Sequence, residues 1–280
     1  MSKVRLFLLS SVTMVAFAAN SWFNRLALID PNNDPISFTL IRILSGALLL
    51  SFVLLADLKA SADANFSWVR SLLSAAFLFF YALFFALAYV RIEAGTGALI
   101  LFAMVQLTMI VGSYLKGQRL ARGEVAGFLL ALGGLIYLLL PGFRGPTVGS
   151  LIFMVVSGVS WGIYSLLGQL EKRPVAATAR NFLLATPLLI PLFILLDFQL
   201  TSHGWLWAVL SGSIASGMGY VMWYITLGYI KTSTGAIMQL TVPAITAFGG
   251  VFLLGEDLTA RLLIASGFII LGVLVKTVSK

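Results

Sequence analysis

The sequence has no cysteine, a single histidine and very few charges: 10% of its 280 residues are Asp, Glu, Lys or Arg, against about a quarter in soluble domains. Without cysteine there is no disulfide framework, no thiolate metal site and no cysteine nucleophile. One histidine, His203, cannot build a metal site or a proton relay alone. Carboxylates are missing where they would matter most. Asp30, Asp34, Asp57, Asp63, Glu93, Glu124, Glu171, Asp197, Glu256 and Asp257 all fall at the ends of apolar runs or between them. Proton-coupled membrane carriers often alternate a buried carboxylate between proton and substrate, so its absence favours a facilitator or a weakly coupled exporter. It also leaves no nucleophile–base set and no metal cluster. The chain is therefore not expected to be an enzyme, and no cofactor or metal is expected.

What the chain has in abundance is apolar side chain: 60% of residues are hydrophobic and the mean hydropathy is +1.03. A soluble fold of this length could not cover so much apolar surface, so the solvent is lipid. The net charge of +8 and pI near 9.9 would suggest nucleic acid in a soluble protein. Here the basic residues sit in short connections between apolar runs and read as topology signals, so no nucleic-acid partner is expected.

A spanning helix needs about 20 mainly apolar residues, and ten runs qualify: 4–28, 36–56, 68–91, 94–116, 122–140, 147–170, 176–196, 204–228, 233–254 and 258–276. Pro31 with Asn32-Asn33, Pro141-Gly142 and Arg173-Pro174 punctuate the connections. Ala16-Phe17-Ala18 imitates a signal-peptidase site behind Lys3 and Arg5, but the apolar run continues to Leu28 and is read as an uncleaved first span. Backbone groups exposed to lipid must be paired within the segment, and runs of this length do not suit barrel strands. The fold class is therefore all-α, integral to the membrane. Of the 18 Lys and Arg, Arg25, Arg42, Arg91, Arg144 and Arg261 fall on one side. The remainder, among them Lys59, Lys116, Arg119 and Lys231, fall on the other, which places both termini in the cytoplasm. A bacterial inner (plasma) membrane fits the short termini.

An internal repeat runs through these spans. Thr96-Gly97-Ala98 matches Thr234-Gly235-Ala236, and Thr108, Gly112, Leu115, Gly117 and Leu120 match Thr246, Gly250, Leu253, Gly255 and Leu258. Phe17 aligns with Trp161 and Ser21 with Ser165. Spans one to five (residues 1–142) thus repeat as spans six to ten (143–280). Five is odd, so the two repeats are inverted, the architecture of alternating-access transporters with a site near midplane.

Further short motifs carry a family resemblance: Trp161-Gly162 followed by Tyr164-Ser165, Ile41-Arg42-Ile43-Leu44, the two Thr-Gly-Ala openings, and Gly255-Glu256. Over nearly the whole chain the sequence resembles the drug/metabolite transporter superfamily, specifically its ten-helix EamA-type exporters. Phe17, where that family often has Trp, and Gly117-Gln118, where it has Gly-Glu, depart from the pattern. Within the superfamily the sequence is similar to the YddG type. That resemblance implies export of aromatic and other neutral amino acids. A multidrug, purine or sugar exporter stays open as an alternative, and from other classes a channel or a lipid-handling protein.

The candidate substrate-binding residues are aromatic, amide and thioether side chains within spans. Trp161 lies near the centre of the sixth span, where an indole N–H needs a partner or a cavity, and Tyr164 shares its face. Tyr81 lies mid-way along the third span with Phe85 and Tyr89 below it, and Tyr220 leads Trp223 and Tyr224 in the eighth. Asn20, Gln106 and Gln239 put amides at depths where an unpaired amide is costly. Either cross-helix bonding or a cavity explains them. Asn20 and Phe17 lie on the pseudo-symmetric counterpart of the Trp161 wall, and Met104 and Met238 add adaptable apolar surface. Gly158 and Gly162 read as a close-packing pair. Ser216-Gly217-Met218-Gly219 reads as a packing surface or a hinge, and Pro243 as a kink or a hinge in the ninth span. Arg42, two turns inside the second span, is either a snorkelling or capping side chain or a carboxylate clamp or gate. Spans 1, 3, 4, 6, 8 and 9 are expected to line the site, with 5 and 10 as packing elements. The expected partners are a small-molecule substrate and membrane lipid. Monomer and homodimer stay open.

Overall fold

In the computed structural model every regular element among the described residues is helical. The described residues are 1–56, 67–115, 122–139, 147–195, 197–230, 235 and 238–278. The helices are α1 (Lys3–Leu28), α2 (Pro35–Ala56), α3 (Trp68–Tyr89), α4 (Ala94–Leu115), α5 (Arg122–Leu139), α6 (Val148–Gly168), α7 (Pro174–Leu195), α8 (Ser202–Leu210), α9 (Gly219–Leu227), α10 (Thr241–Leu254) and α11 (Ala260–Val278). A π-helical segment, Ser211–Met218, joins α8 to α9. Lys59, Lys116, Gly117-Gln118, Arg119, Leu120, Pro141-Gly142 with the expected boundary after residue 142, Arg144, Lys231 and Thr234 lie outside the described residues.

Local chemistry explains where the helices begin. Ser2, Ser67, Thr147 and Thr201 are extended N-cap residues whose hydroxyls accept from the backbone N–H of Arg5, Arg70, Ser150 and Gly204, each satisfying a donor the helix cannot. Gly255 ends α10 in the left-handed region at φ 64°, a conformation natural to glycine. Six helices, α1 to α4, α6 and α7, are long and apolar enough to cross a membrane. Large apolar side chains stand exposed along their outer faces, among them Phe7, Leu48, Phe52, Trp68, Leu115 and Ile152, a surface suited to lipid.

The expected span boundaries agree with the helices to within two residues in the first seven runs and the last. The eighth and ninth differ. The eighth is one path from Ser202 to Leu227 whose middle winds to π geometry. The ninth is interrupted at Leu240, at φ −77° and ψ −9°, before α10. Pro243 supplies the reason: it has no N–H to offer the Gln239 carbonyl four residues back, and its ring crowds that carbonyl. By contrast α7 runs unbroken through Pro187 and Pro191.

Helix α6 packs on α3 and α4, α2 packs on α7 and the π segment, and α1 packs on α10. Gly158 and Gly162 let α6 approach α4: a Cβ on Gly158 would sit 2.6 Å from the Leu101 carbonyl, and one on Gly162 would sit 2.7 Å from Thr108. Helices α5 and α11 pack chiefly on each other.

Candidate functional site

The centre of the bundle is a cluster of buried aromatic rings drawn from both halves of the chain. Trp161 of α6 has Tyr220 at 4.6 Å, Tyr81 at 4.9 Å, Phe17 at 5.2 Å and Tyr164 at 5.4 Å between ring centroids. Phe17 also meets Trp223 at 5.6 Å and Phe102 at 6.5 Å. Phe17 meets Trp161 and Trp223 edge to face and Trp161 stacks on Tyr164, arrangements aromatic pairs favour, while Tyr81 and Tyr220 lie tilted against Trp161. The indole N–H of Trp161 donates to Gln239 Oε1 at 2.8 Å, next to the break in the ninth span. Gln239 Nε2 in turn faces the Met109 sulfur at 3.7 Å. Tyr81, Tyr164, Tyr220, Phe17, Asn20, Trp161 and Gln239 are therefore brought together, all buried.

The cluster is wider than the sequence pattern indicates. Tyr220, Trp223 and Tyr224 are all buried but turn to different neighbours. Tyr220 faces Arg42 and Trp161, the Trp223 indole donates to Ser165 at 3.2 Å, and the Tyr224 hydroxyl donates to the Tyr164 carbonyl at 3.4 Å. Spans 2 and 7 also enter it, through Arg42, Asn181 and Phe182: Asn181 donates to the Tyr164 hydroxyl at 3.5 Å and Phe182 lies 5.9 Å from Tyr220. Met104 packs beside Gly158 at the α4–α6 contact. Met238 lies against the core, with its carbonyl accepting from Thr241 at 2.8 Å. Gln106 is buried in α4.

Arg42 is 1% exposed, so it neither snorkels nor reaches an interface. Its Nη2 donates to the hydroxyls of Tyr220 at 2.8 Å and Tyr81 at 3.2 Å, and its Nε donates to Ser216 at 3.1 Å. The guanidinium also lies 5.2 Å from the Tyr81 ring centroid and 5.3 Å from that of Phe85, within cation–π range. The π segment makes this geometry. Five-residue spacing brings Ser211 and Ser216 to one face of a π helix, where an α-helix would spread them. Both hydroxyls donate to Asn20 Oδ1, at 2.9 and 3.0 Å. The expected hinge residues sit at the end of this segment, where Gly217 could carry a Cβ 3.1 Å from the Gly212 carbonyl and Gly219 one 3.2 Å from Ala16. The closest backbone approach belongs to Gly212, where a Cβ would overlap the Arg42 carbonyl and the Ser45 hydroxyl.

Sequence reasoning did not find two charged joints between the halves. The Glu256 carboxylate accepts from the Ala94 N–H, both oxygens at 2.8 Å, at the N-terminus of α4, a position where helix geometry favours negative charge. Arg25 of α1 lies 3.4 Å from Glu256 and donates to the carbonyls of Tyr89 and Val90 at 3.0 and 3.2 Å. At the other end of α3, Arg70 pairs with Glu171 at 2.7 Å, and Arg180 reaches the same carboxylate at 3.5 Å. Tyr89 and Arg70 are about 28 Å apart along that helix at 1.5 Å per residue. Trp22 adds a further tie, its indole donating to the Thr246 carbonyl at 2.9 Å. Charge and hydropathy place such residues at helix ends but do not say which ends meet.

An all-helical, lipid-facing bundle with a buried aromatic and polar centre defines a polytopic membrane protein. Among the described residues no group of His, Asp and Glu could hold a metal ion. The description of the EamA-like transporter family matches residues 5–140 and again 149–278. The chain belongs to that family and is a membrane transporter, not an enzyme. An uncharacterized protein of Pseudomonas aeruginosa is 44% identical over 92% of this chain and 89% of its own. An uncharacterized transporter of Archaeoglobus fulgidus is 31% identical over 65% of this chain and 67% of its own. A probable amino-acid metabolite efflux pump of Salmonella typhimurium is 26% identical over 69% of this chain and 70% of its own. A solved crystal structure with 19% identity superposes over 99% of this chain and 98% of that one with a TM-score of 0.73, a likeness of fold.

Proposed function

We propose that the protein exports, or lets diffuse, neutral amino acids with aromatic or other apolar side chains. The two halves, residues 1–142 and 143–280, would act as inverted repeats rocking about the central cluster in an inner membrane, with both termini cytoplasmic. The observation that carries this reading is the convergence of Phe17, Tyr81, Trp161, Tyr164 and Tyr220 around the Trp161–Gln239 bond. Aromatic faces offer large apolar contact to a substrate side chain, and amides and hydroxyls beside them suit a zwitterionic head. Asn24 Oδ1, one turn beyond Asn20, is a buried acceptor with no hydrogen-bond partner among the described residues, a group suited to an ammonium. Pro243, four residues beyond Gln239, removes one helix hydrogen bond beside the cluster and supports a bend there. The efflux-pump relatives support the substrate class.

The test is uptake of labelled Phe, Trp, Met and Thr into proteoliposomes by the parent, Trp161→Ala and Tyr81→Ala. Saturable uptake lost in folded variants is the expected result. Uptake no faster than in protein-free liposomes, with the protein correctly inserted, would sink the amino-acid assignment.

A further inference from the structure

Arg42 is a charge the fold leaves incomplete. A guanidinium stays protonated in proteins, and a buried charge is tolerated when it is paired. Elsewhere among the described residues this chain follows that rule: Arg25 meets Glu256, and Arg70 and Arg180 meet Glu171. No Asp or Glu occurs anywhere in α1 to α4, α6 to α9 or the π segment. The partners of Arg42 are three neutral hydroxyls, which supply dipoles but no countercharge.

On Arg42 and Asn20 themselves the hydrogen-bonding capacity left over has one sign; the unspent acceptor nearby, Asn24 Oδ1, lies a turn further along α1. Arg42 Nη1 is buried with no hydrogen-bond partner among the described residues, and so is Asn20 Nδ2. The two are linked through Ser216, which accepts from Arg42 and donates to Asn20 Oδ1. The π segment thus ties down the oxygen of Asn20 with two serine hydroxyls and leaves its N–H groups unspent. Two unpaired donors, one of them cationic, with no unpaired acceptor on either side chain, describe the complement of an anion. With Nε and Nη2 already engaged, the donors left are Nη1 and Asn20 Nδ2; a carboxylate offers an oxygen to each, and the bond from the cation is charge-assisted. The aromatic wall begins at the same place: Tyr81 and Tyr220 each touch both Arg42 and Trp161.

We propose that Arg42, with Asn20 beside it, is the receptor for the substrate's carboxylate, so that the transported class is monocarboxylates with an apolar or aromatic body. This deepens the amino-acid reading and rests on it. It adds that the carboxylate, not the ammonium, is the obligatory group. On binding, Arg42 Nη1 and Asn20 Nδ2 donate to the carboxylate, and the body lies against Tyr81, Trp161 and Tyr220.

Calorimetric titration of the purified parent with 3-phenylpropionate, its neutral isostere 3-phenylpropanamide and 2-phenylethylamine tests this directly. The carboxylate should bind about tenfold or more tightly than the amide, the size of one charge-assisted hydrogen bond, and the amine should not compete. Arg42→Gln should bring the carboxylate-to-amide ratio close to one, while Arg42→Lys should keep a weakened preference. Equal binding of carboxylate and amide by the parent, or no binding of either, overturns the proposal without any variant. So does a folded Arg42→Gln that keeps the preference, or displacement of 3-phenylpropionate by equimolar chloride. Uptake of labelled Phe in the same preparation separates the two readings. Phe uptake without a carboxylate preference retains the amino-acid transporter and removes Arg42 from its site. A carboxylate preference without Phe uptake retains the receptor and removes amino acids as the cargo.

Discussion

Where α3 ends, Arg25 meets the carboxylate of Glu256 at 3.4 Å, and where α3 begins, Arg70 meets that of Glu171 at 2.7 Å. Between them, Arg42 of α2 meets Tyr81, Tyr220 and Ser216 and, among the described residues, no carboxylate. The end pairs join side chains from the two halves of the chain, so each ties the halves together at its end of the bundle with groups the protein itself supplies. The centre is held by neutral contacts and retains an unneutralised charge. Pairing at the ends completes a structure. The centre keeps unspent donors on Arg42 and Asn20, whereas the charges at the ends are spent on each other.

The sharpest way to break the central arrangement is through the backbone. Gly212 lies so close to α2 that a Cβ would overlap the Arg42 carbonyl. Gly212→Ala should therefore push the π segment off α2 and destabilise the protein by about 3 kcal/mol, the upper range for overpacking. Gly149, whose added Cβ would meet nothing within 4 Å, is the control. Its alanine variant should unfold at or slightly above the parent temperature. Equal shifts in the two unfolding midpoints would mean that the approach at Arg42 is not rigid.

The second effect separates packing from polar satisfaction in the same cluster. Trp161→Phe keeps a ring among Phe17, Tyr81 and Tyr220 but leaves Gln239 Oε1 without its 2.8 Å donor, at a cost of about 1–3 kcal/mol for an unsatisfied buried group. Adding Gln239→Leu should recover most of that loss, because no polar atom is then stranded. A thermal-unfolding cycle over the four proteins measures it. Strict additivity would mean that the two side chains are not coupled.

At the ends the expected losses are smaller and unequal. Glu171 serves two arginines and its side chain is 3% exposed, whereas Glu256 is 11% exposed beside one. Glu171→Gln should cost about 2 kcal/mol, and Glu256→Gln should change stability by under about 0.5 kcal/mol in either direction. Exchanging the charges, Arg25→Glu with Glu256→Arg, should restore part of what Arg25→Glu alone removes. No such exchange exists for Arg42, which has no acidic partner among the described residues. An unfolding series that ranked Glu256→Gln as the costlier change would reverse this picture of the two ends.

How much of this was legible beforehand follows from what sequence can encode. Apolar length fixed most helix boundaries to within two residues, and indole and amide depth pointed to Trp161, Gln239 and Asn20 because buried polar groups must find partners. Arg42 was singled out for its depth, but its burial was not legible. Whether a long cation snorkels depends on the neighbouring helix, here on a glycine at 212 in a segment wound to π geometry. Helical periodicity assumed α geometry there, so Ser211 and Ser216 could not be seen to share a face. The joints Arg25–Glu256 and Arg70–Glu171 are separated by 231 and 101 positions, and only tertiary structure brings such ends together.

The smallest effect concerns proton uptake at one end. Burial, with the Glu93 charge adding to it, outweighs the backbone N–H groups of Ala94 and Gly95 and the Arg25 charge, and holds the Glu256 carboxyl above the usual carboxylate range. In the window between the ordinary glutamate value and this raised one, the folded protein binds the proton more strongly than the unfolded chain. The contribution of Glu256 to stability is therefore fully present below that window and declines as pH rises through the folded value. Glu256→Gln has no such slope. Its unfolding midpoint should run level with the parent's at low pH, apart from a constant offset, and rise relative to it as pH increases. A parent that gained stability relative to the variant with rising pH would show the Arg25 attraction prevailing over burial. That end would then be tied by charge, as the Arg70–Glu171 end is, and the contrast with Arg42 would widen.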